Sequence, residues 1–257
     1  MSVRSSVNLT AQLTVATYRD EIVVLRTQRL GEADRIITAL GKSRGKIRAV
    51  AKGVRKTGSR FGARLEPFMV ADVQFYVGKS LDTVQQAETL GAYGSLISAD
   101  YEMYTAAHVM VETADKLTDS DASLAQYSLL VGGLKALATK AQPADLILDS
   151  YLLRALSIAG WEPTFSDCAV TGEPGPHTVF IVQAGGVVSD SVAPPGAPRL
   201  RPDTVVLLRH LHQGDWVATR AASVEARNEA RGIVAAYVQY HLERAVKSFK
   251  HIERSVL

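Results

Sequence analysis

Between Lys42 and Arg64 the sequence places nine basic side chains: Lys42, Arg44, Lys46, Arg48, Lys52, Arg55, Lys56, Arg60 and Arg64. The same stretch holds no Asp or Glu. Removing these nine from the 29 Lys and Arg of the chain leaves 20 against 26 acidic residues. The formal net charge of +3 therefore hides a mildly acidic body that carries one concentrated basic patch. Like charges packed this closely repel unless something compensates them, and a polyanion is the partner that does so. Lys and Arg neutralise phosphates and release counterions, each contact to a single strand adding roughly −0.7 to the log–log salt slope. If about five of the nine reach phosphates, the slope is near −3.5. Aromatic rings lie close by in sequence. Phe61 sits inside the basic segment, and Phe68 and Tyr76 follow on the more polar side of a strand. A base stacked on such a ring is worth roughly 1–3 kcal/mol. Phe68 and Tyr76 can equally be packed core.

The other motifs are weaker. Gly41-Lys42-Ser43-Arg44-Gly45 matches G-x-S-x-G, but a nucleophile elbow needs a strand, a sharp turn and a helix. Here a strand-like KIRAVAKG follows, so the segment reads as a hairpin turn, and a serine hydrolase built on Ser43 has little else behind it. A phosphate loop ending at Gly41-Lys42-Ser43 would need a glycine where Ile36 stands. His210 and His212 are one residue apart on an expected helix, whereas helical metal ligands want i, i+4 spacing. His108, His241 and His251 are solitary and read as structural. Cys168 is the single cysteine of the chain. That excludes an internal disulfide and a multi-cysteine metal site, and it fits a reducing cytoplasm. No catalytic residue, metal or cofactor is expected.

These side chains need elements to hold them. Residues 19–28, 35–40, 46–51, 67–77 and 83–90 read as five short strands, with GKSRG as a hairpin connection and residues 53–62 as a loop rich in glycine and base. In 46–51 the alternation sets Ile47, Ala49 and Ala51 on one side, Lys46 and Arg48 on the other. In 67–77 it sets Pro67, Met69, Ala71, Val73, Phe75 and Val77 against Phe68, Val70, Asp72, Gln74 and Tyr76. Five strands in so short a stretch predict a small barrel, and a barrel with a basic loop and exposed aromatic rings is how sequence-tolerant single-strand binders are built. From about Ser98 the period becomes helical. Tyr101, Tyr104, His108, Val111 and Leu117 lie near one stripe. Further helices fit 123–139, 145–159 (with Gly160 as terminator), 204–212 and 224–244 or beyond. Residues 161–202 hold seven of the nine prolines and read as an irregular insert. The expected plan is α+β: an N-terminal extension 1–17, a five-stranded barrel 18–92, and a helical domain 93–257 interrupted by that insert. No apolar run reaches the roughly 20 residues that span a bilayer, and residues 1–20 lack a continuous apolar core of a secretory signal.

Three stretches together resemble the RecO family of bacterial recombination mediators. They are YRDEIVVLRTQRLGEADRIITALGKSRGKIRAVAKGVRK, then SRFGARLEPFMVADVQFY, then LLRALSIAGWEPTFSDCAVTGEPGPH with VQAGGVV after it. The likeness runs from about residue 18 to the C-terminus and is most specific in the first stretch. It implies an N-terminal OB barrel and a C-terminal helical domain, in many members with a four-cysteine zinc-ribbon-like insert. It implies no catalysis. The implied activities are binding of single- and double-stranded DNA and annealing of complementary strands. With RecR, the family helps load RecA onto DNA coated by single-stranded DNA-binding protein, whose acidic C-terminal tail is a further implied partner. A bacterial cytoplasmic, nucleoid-associated location follows from that role, with no membrane partner. By position, Lys42 to Arg64 fall where the family's barrel holds DNA. The zinc pattern is broken: Cys168 occupies the first cysteine position, but Thr171, Ser189 and Val192 stand where the others belong. With His177 as at most a second ligand, no closed zinc site is expected. The insert is degenerate and is held by packing, with Trp161, Phe165 and Phe180 as candidates. An RNA-binding OB protein is the competing reading, and 2′-hydroxyl discrimination separates the two.

Overall fold

The computed structural model describes residues 16–59 and 61–253, with side chains to Glu243. Most of the expected N-terminal extension, Arg60 and the side chain of His251 lie outside the described residues.

Strands β1 (Thr17–Leu30), β2 (Asp34–Gly41), β3 (Gly45–Ala51), β4 (Val70–Tyr76) and β5 (Asp82–Gly91) close into a barrel of order β1-β2-β3-β5-β4. All pairings are antiparallel except the short parallel β3–β5 contact. The closing β3–β5 contact is two residue pairs long, Ala49 with Asp82 and Val50 with Thr83. Alternation fills the inside with Ile22, Val24, Ile37, Ala39, Ile47, Ala49, Ala71, Val73, Phe75 and Val84. The expected strand 67–77 is shorter at its start, because Phe68 takes a positive φ of 69° and turns the chain. The loop after β3 is not wholly a surface loop. It folds Val54, Phe61 and Leu65 back into the barrel end, Leu65 closing a 3₁₀ turn over Gly62–Leu65.

The helices are α1 (Tyr93–Ile97), α2 (Tyr101–Leu117), α3 (Leu124–Ala138), α4 (Ala144–Ile158), α5 (Pro202–Gln213), α6 (Trp216–Thr219) and α7 (Val224–Glu253). Asp100 caps α2 and Ser123 caps α3 by accepting backbone N–H bonds. Gly160, at φ 89°, ends α4 as expected. The stripe expected on α2 is corrected. Tyr101 is 83% exposed, and the buried face is Met103, Ala106, Ala107, Met110, Val111 and Ala114. These side chains share one core with Leu152, Leu153 and Leu156 of α4. A large core joins the helices, and it also includes Val23, Leu25, Leu40, Phe68 and Val70 from the barrel's outer surface.

The insert carries β6 (Val179–Ile181) and β7 (Gly186–Val188), paired as a hairpin. Phe165 and Phe180 stack at 5.8 Å, and Tyr237 of α7 meets Phe180 edge-on. Trp161 stacks on His241. The Sγ of Cys168 is buried and accepts N–H bonds from Thr171 (3.4 Å) and Ser189 (3.3 Å). Burial raises the thiol's pKa, but these donors outweigh it and bring it down to about 6. The family's zinc does not fit here: hydroxyls and an apolar side chain replace the other three thiolates. Among the described residues no three His, Cys, Asp or Glu side chains converge as a metal site. His210 lies beside Asp215 and His212 bonds Ser157, so the pair does not act together.

Candidate nucleic-acid interface

The alternation of β3 sends Ile47, Ala49 and Ala51 inward, and Lys46, Arg48 and Val50 outward. Lys52 continues the outward series just past the strand end and is exposed. Arg48, Lys52 and Lys56 are exposed and make no side-chain ion pair or hydrogen bond with the described residues. Arg55 is exposed too. Its backbone N–H donates to the Ala33 carbonyl, and its guanidinium donates to the Glu32 carbonyl at 2.8 Å. The Gly53 N–H donates to Asp34 at 2.7 Å. These bonds fasten the start of the basic loop to the β1–β2 turn while leaving the Arg55 charge without a carboxylate. Arg64 is exposed and donates to the Phe61 carbonyl at 3.4 Å.

The β2–β3 turn behaves differently. Lys42 pairs with Glu21 at 3.0 Å. Arg44 lies over the Tyr18 ring, 3.9 Å from its centroid. Lys46 pairs with Asp115 of α2 at 3.1 Å. Asp20, buried inside the barrel, accepts the Ser43 N–H with both oxygens, which makes Ser43 a turn residue. Burial raises the Asp20 pKa, against the Ser43 bonds that lower it. Gly45 has φ 64°, and a Cβ there would sit 2.5 Å from the carbonyl oxygens of Asp119 and Asp121. The turn is wedged against the loop after α2, and only glycine fits.

Of the three candidate rings, Phe61 is corrected outright. It is 1% exposed and plugs the barrel, so no base can reach its face. Phe68 is 3% exposed and meets Tyr104 and His108 edge-on. It is core, and His108 is its packing partner. Tyr76 is 40% exposed. Tyr76 pairs with Thr83, and Thr83 with Val50. The ring thus lies two strands from β3, about 10 Å at ordinary strand spacing.

Two cations escaped notice because they fall outside the dense window. Arg29 is exposed, without a partner among the described residues, and stands opposite Arg35 in the β1–β2 register. Arg35 is answered by Glu66. Arg26 pairs across β2 with the row that ends in Arg48, through Thr38. A bulge between Val24 and Arg26 shifts the phase of β1 and puts Arg26 outside.

A closed five-stranded barrel joined to a helical body, with Arg48, Lys52, Arg55 and Lys56 exposed and without a carboxylate partner among the described residues, defines an OB-type barrel protein. Comparison with known proteins narrows the class. Residues 15–93 match the family model described as recombination protein O N terminal, and residues 98–250 match recombination protein O C terminal. The DNA repair protein RecO of Thermobifida fusca is 51% identical over 243 residues, covering 94% of this chain and all of the relative. That of Cutibacterium acnes is 47% identical over 244 residues, 93% of this chain and 99% of the relative. That of Streptomyces griseus is 46% identical over 248 residues, 93% of this chain and all of the relative. The chain belongs to the RecO family.

Proposed function

We propose that this protein is a non-catalytic DNA-binding mediator of recombinational repair. The observation that carries this reading is the group Arg48, Lys52, Arg55 and Lys56, exposed on the outer face of β3 and the loop after it without a carboxylate partner among the described residues. The name its relatives carry, DNA repair protein RecO, agrees with it. Single- and double-stranded DNA lie along the outer face of β3 and the loop beyond, and Tyr76 offers a stacking surface. Bound strands are annealed, and with RecR the protein helps load RecA onto DNA coated by single-stranded DNA-binding protein, contacting that protein's tail. No described helix is long and apolar enough to cross a membrane, and the proposed site of action is the bacterial cytoplasm and nucleoid.

The test is a titration of matched single-stranded DNA, duplex DNA and RNA across a range of salt. Four phosphate contacts on a single strand give a slope of about −2.8. Salt-insensitive binding defeats the reading, and a clear preference for RNA over DNA of the same sequence replaces it with an RNA-binding role.

A further inference from the structure

We propose that Asp115 of α2 sets one end of the nucleic-acid track, holding Arg26 and Lys46 in the way a backbone phosphate would. The inference rests on the outer face of β3 being that track. On this face Lys46, Arg48 and Lys52 form one outward series, and Arg26 joins the row of Arg48 through Thr38. Arg26 and Lys46 therefore belong by position to the same cationic surface as the uncompensated residues. They differ in one respect. The Asp115 carboxylate receives Arg26 Nε at 3.0 Å on one oxygen and Lys46 Nζ at 3.1 Å on the other. The Lys46 ammonium also donates to the Asp115 backbone carbonyl. Thr38, between Arg26 and Arg48 in the register, is 1% exposed, so this part of the barrel surface is covered.

A carboxylate bridging two cations satisfies the charge and hydrogen-bond geometry that a phosphate oxygen pair would satisfy. DNA reaching this point gains no counterion release from Arg26 or Lys46 unless it displaces Asp115. The strand is thereby steered toward Arg48, Lys52, Arg55 and Lys56 and away from the helical domain. The helical half thus fixes the footprint of the barrel half without touching DNA.

The experiment compares salt titrations of single-stranded DNA for the full chain, D115N, R26M, D115N/R26M and K52M. D115N removes the charge and leaves a single amide oxygen as acceptor where Arg26 and Lys46 each had their own. The expected result is tighter binding for D115N, with a salt slope steeper by about 0.7 for each cation released. R26M alone leaves affinity within twofold of the parent. In the D115N background R26M reverses part of the gain. Parental affinity and slope in D115N, with its fold confirmed by thermal melting, overturn the proposal. So does an R26M loss as large as that of K52M, an arm that leaves Asp115 untouched and decides the question even if D115N fails to fold. If the parent shows no salt-dependent binding and K52M changes nothing, the DNA-binding reading itself falls. If K52M weakens binding while D115N and R26M contradict expectation, only the role of Asp115 falls.

Discussion

The two ends of one basic stretch differ in what the fold sets against them. At the β2–β3 turn, Lys42, Arg44 and Lys46 meet Glu21, the Tyr18 ring and Asp115 within the protein. At the far end, Arg48, Lys52, Arg55 and Lys56 meet no carboxylate among the described residues. The linear density of charge is similar in both, so density alone does not mark a binding surface. What distinguishes them is whether the fold supplies its own anions. A cation already paired gains little from a phosphate, since it exchanges one partner for another.

The largest expected effect comes from breaking the uncompensated end. Replacing Lys52, Arg55 and Lys56 together by methionine removes about 2 from the magnitude of the single-strand salt slope. Affinity then falls at least tenfold near 0.1 M salt, measured by fluorescence anisotropy with a labelled oligonucleotide. Tyr76→Ala comes next. Losing one stacked base costs roughly 1–3 kcal/mol of binding with the salt slope unchanged, and a changed slope would assign Tyr76 to phosphate positioning instead. Gly45→Ala probes the other end. Its Cβ collides with two backbone carbonyls at positive φ, so thermal unfolding moves down by roughly 1–3 kcal/mol of stability, while the affinity of the folded fraction holds. Arg44→Met is smaller still. It removes a cation–π contact worth roughly 0.5–1 kcal/mol and shifts DNA affinity less than threefold. The smallest effect is in pH. Burial raises the Asp115 pKa, but the bonds from Arg26 and Lys46 overcome it and leave the carboxyl below its ordinary 3.8. A lowered folded pKa gives stability that is present above 3.8 and lost as pH falls through the folded value. D115N therefore flattens the acid limb of a stability profile below about pH 4 and leaves neutral pH behaviour governed by the lost ion pairs.

Much of the barrel was legible because its signal has period two. The side assignments of Ile47, Ala49 and Ala51, and of Asp72, Gln74 and Tyr76, follow from alternation alone. Phe61 was not legible. It sits in a glycine-rich loop with no period, and its burial depends on the open barrel end that it fills. Phe68 breaks the alternation because the outer surface there is covered by α2, whose Tyr104 and His108 touch it. The pairing of Lys46 and Arg26 with Asp115 spans 69 and 89 residues of chain, beyond any local pattern, and the outward position of Arg26 hangs on one bulged residue. On α2, five Ala and Met positions carry most of the buried face while the conspicuous tyrosine at 101 faces solvent. The basic window was visible in composition, but its division into an end paired within the protein and an end without carboxylate partners among the described residues required the fold.

Val23, Leu25, Leu40, Phe68 and Val70 belong to strands or turns of the barrel yet sit in the core shared with the helices. The wall of one half is the floor of the other. A fragment cut after residue 92 would bare these five side chains to water and self-associate. Calorimetry of the whole chain, by the same logic, gives a single heat-absorption peak for both halves.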